Sequence, residues 1–348
     1  MNFNHVLGLV SSIGLSMACL NVHADTTGQQ LAEGAGSPLI GTLAPRLVLK
    51  TIDGKTIDLG RLYGRQAVYL KFWATWCVPC REQMPHFEHV YETAAADLVV
   101  IAINSGFNDS VDDVRTYRRK LGITMPIVLD DGHAGAAFNL RVTPQHIVIG
   151  RDGRIQYVGH LADARLDAAL VAARTAPIAS AADAATGSDS PAAIVRFKVG
   201  DHLPQQSPLT IDGTAFAFRD PGISTGHTIL VFLSPWCESY LATTRPEASI
   251  NCRRMREQVT ALASERGARW LGIASGLWAT PDDLRQYRTN FHVDIPLTLD
   301  ESGALFRSFN VRQVPTALIA DASGRIVRRV EAAELESPTM MRTAIRSP

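Results

Sequence analysis

Net charge of either sign is the first thing this chain lacks. Its 348 residues carry 34 basic and 34 acidic side chains, which cancel. That balance offers no field for nucleic acid or for an anionic membrane. No basic block and no phosphate-cradling glycine loop stands in the sequence. Long apolar runs are scarce as well. The mainly apolar stretch from Val6 to Leu20 has 15 residues, short of the ~20 that a membrane-spanning helix needs. Cysteine is rare, with five in the whole chain. What is abundant is ordinary globular material: a hydrophobic share of 46% and length enough for two domains.

The short apolar run reads as an export signal. Val22-His23-Ala24 fits a small-residue cleavage site, so residues 1–24 form the signal and Asp25 becomes the first residue. Met1 to His5 lacks the usual Lys or Arg. An uncleaved anchor and a lipid on Cys19 are the alternatives, although Ser16-Met17-Ala18 lacks the leucine usual three residues upstream of a lipidated cysteine. Cleavage leaves four cysteines, Cys77, Cys80, Cys237 and Cys252. An even count in an exported chain suggests two pairs in an oxidising compartment, and a bacterial periplasm is the expected location.

The informative stretch is Trp76-Cys77-Val78-Pro79-Cys80. It follows a strand-forming run, Ala67 to Trp73, and precedes helix formers from Arg81 to Ala96. Cys77 therefore falls near a helix N-terminus, where positive potential favours a thiolate. Two intervening residues let the thiols face each other across one turn. A zinc half-site with His86 and His89 is the competing interpretation, but zinc wants four convergent ligands. No metal and no other cofactor is expected.

Phe72-Trp73-Ala74-Thr75-Trp76-Cys77-Val78-Pro79-Cys80 resembles the active site of thioredoxin-fold proteins, in particular the secreted TlpA-like thiol–disulfide reductases. The resemblance covers roughly Gly41 to Arg174, with a weaker copy over Val199 to Val330. It implies an α/β fold class: two tandem thioredoxin-like domains, each a mixed central sheet flanked by helices. Pro85 matches the family's helix-kinking proline, and Thr143-Pro144 its cis-proline. The resemblance further implies that Cys77 is the nucleophile and the more exposed thiol, that Cys80 resolves the mixed disulfide, and that Trp76, Thr143 and Pro144 contact substrate. Trp76 is expected to be exposed. Two positions depart from the pattern. Lys71 stands where many thioredoxins bury an aspartate, and is expected as a solvated lysine at a strand end. Gln83 stands where TlpA-like chains often have glutamate, leaving Glu82 or water as proton carrier.

Along the chain, residues 25–38 look small, polar and flexible. Asp53-Gly54 marks a hairpin. Leu98 to Ile103 is an expected strand, and Ser110 to Asp113 a capping box for a helix to Leu121. Short strands are expected over Pro126–Leu129, His146–Ile149 and Ile155–Val158, and helices over Ala134–Asn139 and Asp163–Arg174. His146 is taken as only a strand residue. The domain plan is signal 1–24, first domain 39–175, Ala/Ser/Pro-rich linker 176–196 and second domain 197–346.

The second half echoes the first. Thr51-Ile52-Asp53-Gly54 returns at Thr210, Trp76-Cys77 at Trp236, Ser105-Gly106 at Ser275, Phe138-Asn139 at Phe309 and Pro144 at Pro315. The spacing widens between Cys237 and Ser275, so an insertion follows Cys237. Cys252-Arg253-Arg254-Met255 looks like Cys80-Arg81-Glu82-Gln83, with Leu241 to Asn251 as an inserted loop between two thiols that still meet at the helix start. A structural disulfide, a second and altered redox pair, and two free thiols all stay open for Cys237 and Cys252. Pro315 is the second domain's expected cis-proline.

Together these features point to a thiol:disulfide oxidoreductase, and the resemblance implies that it reduces protein disulfides and draws electrons from a membrane thiol reductase. Its partners are protein thiols and disulfides, not nucleic acid. Two other classes stand beside this. The second domain could serve as a substrate- or partner-binding module. A peroxiredoxin-like peroxidase would use Cys237, although Ser234 and Leu230 occupy the places of that family's Thr and Pro.

Overall fold

The run Ala67 to Trp73 is apolar at nearly every position, as a strand covered on both faces requires, and all seven residues are buried. In the computed structural model, which describes residues 27–178, 194–220, 225–265, 267–337 and 339–346, this run is the centre of a five-stranded sheet. The export signal 1–24, Cys19 and residues 179–193 of the linker lie outside the described residues.

The first domain runs α1 (27–36), β1 (Val48–Lys50), β2 (Thr56–Asp58), α2 (Leu59–Leu62), β3 (Ala67–Trp73), α3 (Val78–Glu82), α4 (Met84–Glu92), β4 (Leu98–Asn104), α5 (Val111–Leu121), β5 (Ile127–Leu129), α6 (His133–Ala137), β6 (Gln145–Ile149), β7 (Ile155–Gly159) and α7 (Ala164–Thr175). The second runs β8 (His227–Leu233), α8 (Cys237–Thr244), α9 (Pro246–Leu262), β9 (Ala268–Ser275), α10 (Pro281–Phe291), β10 (Leu297–Asp300), α11 (Ala304–Ser308), β11 (Thr316–Ala320), β12 (Ile326–Glu331) and α12 (Met340–Arg346).

The strand orders are β5-β4-β3-β6-β7 and β10-β9-β8-β11-β12. Within each sheet the first three strands are parallel and the last two antiparallel. These are two mixed α/β sheets of thioredoxin-like fold. Local signals explain their helices. Ser110 and Asp113 close a capping box on α5, and Gly122 ends it in the left-handed region; Thr280 and Asp283 do the same for α10, with His292 at its end. Asp53-Gly54 turns the β1–β2 hairpin.

Residues 25–38 were expected to be flexible. Instead 27–36 form α1, with Ala32 and Ala35 buried. Gln29 accepts hydrogen bonds from the His160 and Leu161 amides, which ties this helix to the end of β7. Its small apolar residues recur at helical spacing, a signal too short to outweigh the polar composition in a sequence reading.

The two domains touch. Asn108 and Trp278, both in the left-handed region at the same place after β4 and β9, each donate a backbone N–H across the interface at 2.8 Å, to the carbonyls of Arg312 and Arg141 respectively. Arg141 and Arg312 precede the two prolines by three residues. The contact is thus nearly reciprocal, and one apolar cluster spans it through Trp76, Phe107, Trp236 and Phe306.

Candidate functional site

Cys77 is the N-cap of α3, and its sulfur accepts a hydrogen bond from the Cys80 amide at 3.2 Å. The two cysteines are joined as a disulfide with Cα atoms 5.2 Å apart. The helix breaks at Gln83, one residue before Met84 and Pro85 open α4. A proline at this position lacks the N–H that would continue the ladder. The Thr143–Pro144 peptide is cis, and the Thr143 carbonyl oxygen lies 3.3 Å from the Cys77 sulfur. Once reduced, that thiol has an acceptor at hand. Trp76 donates its indole N–H to the Phe107 carbonyl at 2.7 Å. The structure therefore gathers Trp76, Cys77, Cys80, Thr143 and Pro144 at one end of the first sheet.

Their exposure differs from expectation. Cys77 and Trp76 are each 1% exposed. The second domain covers them: Trp236 stacks on Trp76 with ring centroids 5.1 Å apart, and Tyr240 meets its edge at 6.1 Å. Nothing in the residues around Cys77 says that a second domain lies over this face.

Lys71 also departs from expectation. It sits in the middle of β3, between β4 and β6, and is 0% exposed. Its amine donates to the Cys80 carbonyl at 3.5 Å and lies 5.3 Å from the centroid of the Phe87 ring. Burial lowers its pKa to about 7. In register beside it stands His146, buried as well. The His146 Nδ1 accepts from the Tyr69 hydroxyl at 2.8 Å and its Nε2 donates to Gln83 Oε1 at 2.9 Å, the tautomer this network requires. Burial first, and the neighbouring Lys71 second, hold the His146 pKa well below its usual value. His146 is thus part of a polar cluster beneath the disulfide and not only a strand residue. Glu82 is exposed on α3. Periodicity could not find this cluster, because its members are scattered across β3, α3 and β6; a lysine between Leu70 and Phe72 was the one available sign.

His86 pairs with Asp167 at 3.0 Å, and His89 is exposed on α4. Among the described residues no three His, Cys, Asp or Glu side chains gather as metal ligands.

Behind Trp76, Asp109 accepts from the Thr75 amide and from Asn104, both at 2.8 Å. Gly106, at φ 67°, turns the loop that delivers Asp109; a Cβ there would collide with the Asp130 carbonyl. Burial pushes the Asp109 pKa up, opposed by these donors and by Arg245.

In the second domain Cys237 opens α8 and is joined to Cys252 by a disulfide, with Cα atoms 6.2 Å apart. The two do not meet at one helix start. Cys252 lies in the second turn of α9, and the residues between the thiols are helical on both sides of Arg245, not a loop. Helix formers such as Leu241, Ala242 and Ala248 account for this. The Val314–Pro315 peptide is cis.

Comparison with known proteins agrees with this geometry. The AhpC/TSA family model matches residues 40–158. The thioredoxin-like protein YneN of Bacillus subtilis (strain 168) is 35% identical over 117 residues, which is 33% of this chain and 68% of that protein. The thiol-disulfide oxidoreductase ResA of Halalkalibacterium halodurans is also 35% identical over 117 residues, 33% of this chain and 65% of that one. Among solved structures, a thiol:disulfide interchange protein of the thioredoxin family from Chlorobium tepidum TLS is 29% identical, covering 38% of this chain and 96% of its own, with a TM-score of 0.35. The chain thus spans about two thirds of the length of the curated relatives it matches. With Cys77, Cys80 and Pro144 inside the matched stretch, the chain belongs to the thioredoxin-like thiol–disulfide oxidoreductases of the AhpC/TSA family.

Proposed function

We propose that this protein is an exported, periplasmic thiol–disulfide oxidoreductase that reduces protein disulfides through Cys77 and Cys80. One observation carries the proposal: a disulfide caps a helix with its first sulfur 3.3 Å from the carbonyl that precedes a proline. In the reduced protein the Cys77 thiolate, favoured by the helix terminus, attacks one sulfur of a client disulfide. The client S–S bond breaks, a mixed disulfide forms, and the first client thiolate leaves and takes a proton from water. Cys80 then gives up its proton. The buried Lys71 amine, which donates to the backbone carbonyl of Cys80 at 3.5 Å and so stands next to that residue, is the group we assign to receive it. The Cys80 thiolate attacks the Cys77 sulfur, the mixed disulfide breaks, and the second client thiolate departs. Trp76, Thr143 and Pro144 are the client-side contacts.

Electrons return from a membrane thiol reductase in this scheme, the direction that the TlpA-like resemblance implies. Export is supported by two disulfides that use all four cysteines of the described residues. Among the described residues no helix is long and apolar enough to cross a membrane. For Cys237 and Cys252 we favour a structural disulfide, because buried Val231, Ala317 and Met255 stand where the first domain has Lys71, His146 and Gln83.

The test is insulin reduction by dithiothreitol, run with peroxide consumption, for the mature protein, Cys77→Ser and Cys237→Ser. Loss of insulin reduction in Cys77→Ser alone, by at least a hundredfold, is expected. Loss in Cys237→Ser alone would reverse the roles of the domains, and peroxide consumption that depends on Cys237 would favour a peroxidase.

A further inference from the structure

The Cys77 face is not only buried but bonded, on both of its sides, to the second domain. On one side the Tyr240 hydroxyl accepts from the Val78 amide at 3.0 Å, next to the disulfide itself. Arg245, at the junction of α8 and α9, forks into the first domain. One terminal nitrogen donates to Asp109 at 2.8 Å and to the Thr75 hydroxyl at 2.7 Å; the other donates to Asp113 at 2.8 Å. The Asp109 side chain is fully buried at this pair. On the other side the Trp278 indole N–H donates to the Thr143 hydroxyl at 3.3 Å. Tyr240 and Arg245 both lie within the 15-residue span closed by Cys237–Cys252, so that disulfide clips together the segment that covers Cys77. A client sulfur must approach Cys77 along the axis of the bond it will form. With the cover in place no such approach exists.

We propose that the Cys77 face is a docking surface for a polypeptide bearing an aromatic residue and, a few residues on, a basic one, and that the second domain occupies this surface until such a client displaces it. The occupant shows what the surface accepts. Trp236 and Tyr240 fill the ring-lined side made by Trp76 and Phe107. Arg245 supplies the positive charge that faces Asp109 and Asp113. A client that evicts both must offer comparable groups, or leave a buried carboxylate without its cation. An acidic segment meets two carboxylates instead. This proposal rests on Cys77 being the attacking thiol.

The test uses the full mature chain. After reduction of Cys77–Cys80 with Cys237–Cys252 still closed, as intact mass verifies, the rate of Cys77 alkylation by iodoacetamide is followed by mass spectrometry for wild type, Arg245→Ala, Tyr240→Ala and Arg118→Ala, the last changing an ion pair outside this interface. Circular dichroism verifies that each variant is folded. Both cover variants should react at least tenfold faster than wild type, with Arg118→Ala within twofold of it. Because Arg245→Ala tests the ion pairs and Tyr240→Ala the aromatic contact, one misfolded variant leaves the other decisive. Equal rates in all four would overturn the cover. Failure of dithiothreitol to reduce Cys77–Cys80 in any of them would instead overturn the oxidoreductase mechanism. The client class is read with two disulfide-bridged peptides that carry Trp and Arg, or Trp and Glu, beside the cysteine. Reduction of the Arg peptide should be at least tenfold faster, and Asp109→Asn should erase the difference. Equal rates for the two peptides in wild type would overturn the client class.

Discussion

Lys71 and Val231 hold the same place in the two sheets. Each lies on the central strand, and each is paired in register with the second residue of the antiparallel strand that follows a cis-proline: Lys71 with His146, Val231 with Ala317. Two residues earlier stand Tyr69 and Ile229. Three residues beyond the second cysteine stand Gln83 and Met255. So under the first disulfide the chain buries an amine, an imidazole and a phenol, with a half-buried amide bonded to the imidazole, while under the second it buries four apolar side chains. Burying polar groups costs free energy unless they are bonded, and a buried amine above all. A chain that carries this cost in one domain and avoids it in the other, at matching positions, is using those groups for something other than stability. Proton transfer to and from a buried thiol is the need that only a reactive pair has.

The strongest way to break this comparison is to exchange the two central residues. Folded Lys71 loses its proton near pH 7, whereas the unfolded chain keeps it to about 10.5. Between those values the unfolded state binds more protons, so stability rises with pH across that window. The penalty is fully present below about pH 7 and vanishes near 10.5. It corresponds to about 5 kcal/mol at most. Lys71→Met should therefore stabilise the oxidised first domain by several kcal/mol at pH 6 and by almost nothing at pH 10.5. Urea unfolding of the full chain at the two pH values, followed through the first domain's signals, measures it. Val231→Lys should do the reverse, destabilising the second domain by at least about 4 kcal/mol at neutral pH. If Lys71→Met leaves stability unchanged at pH 6, the amine is solvated in solution and the contrast between the domains is lost.

The two disulfides give the next test. Both join sequence neighbours on helices, but Cys237–Cys252 closes a span of 15 residues against 3 for Cys77–Cys80. Chain-entropy reasoning assigns a loop of that size about 3 kcal/mol. Cys237→Ser with Cys252→Ser should lower the melting temperature of the second domain by roughly 6–12 °C, with the reactive pair intact. A scanning calorimetry trace with both transitions unmoved would remove the structural reading of this bond.

Much of this contrast was legible in the residues. The strand, cysteine pair and helix that follow in order from Ala67 place a disulfide at a helix tip, and Thr143-Pro144 and Val314-Pro315 lie at matched positions in the two halves. What was not legible has a common physical origin. The solvation of Lys71 depends on what lies on either face of β3, and the roles of His146 and Gln83 on elements more than sixty residues apart. The burial of Cys77 and Trp76 depends on a second domain folding back over the first. Arg245 looked like part of an inserted loop, with Tyr240 just before it, because nothing in their own sequence says what lies opposite.

The smallest effect concerns a feature the domains share, and it bounds how far their difference extends. The Asp-Gly turn of the first hairpin is tied to α5 by Arg118 and Asp53 at 2.7 Å, and the matching turn near Thr210 is tied to α10 by Arg288 and Asp212 at 2.7 Å. Each pair includes a carboxylate that is 46% exposed, so water and salt screen it, and long side chains lose freedom to form it. Arg118→Ala and Arg288→Ala should each lower the melting temperature of their own domain by less than about 3 °C, with the shift shrinking further in 0.5 M salt. Equal and small shifts would mean that the hairpin ties are common scaffold and that the domains diverge beneath and around their disulfides. A shift several times larger in one domain would place part of the divergence at the hairpin, where geometry gives no reason for it.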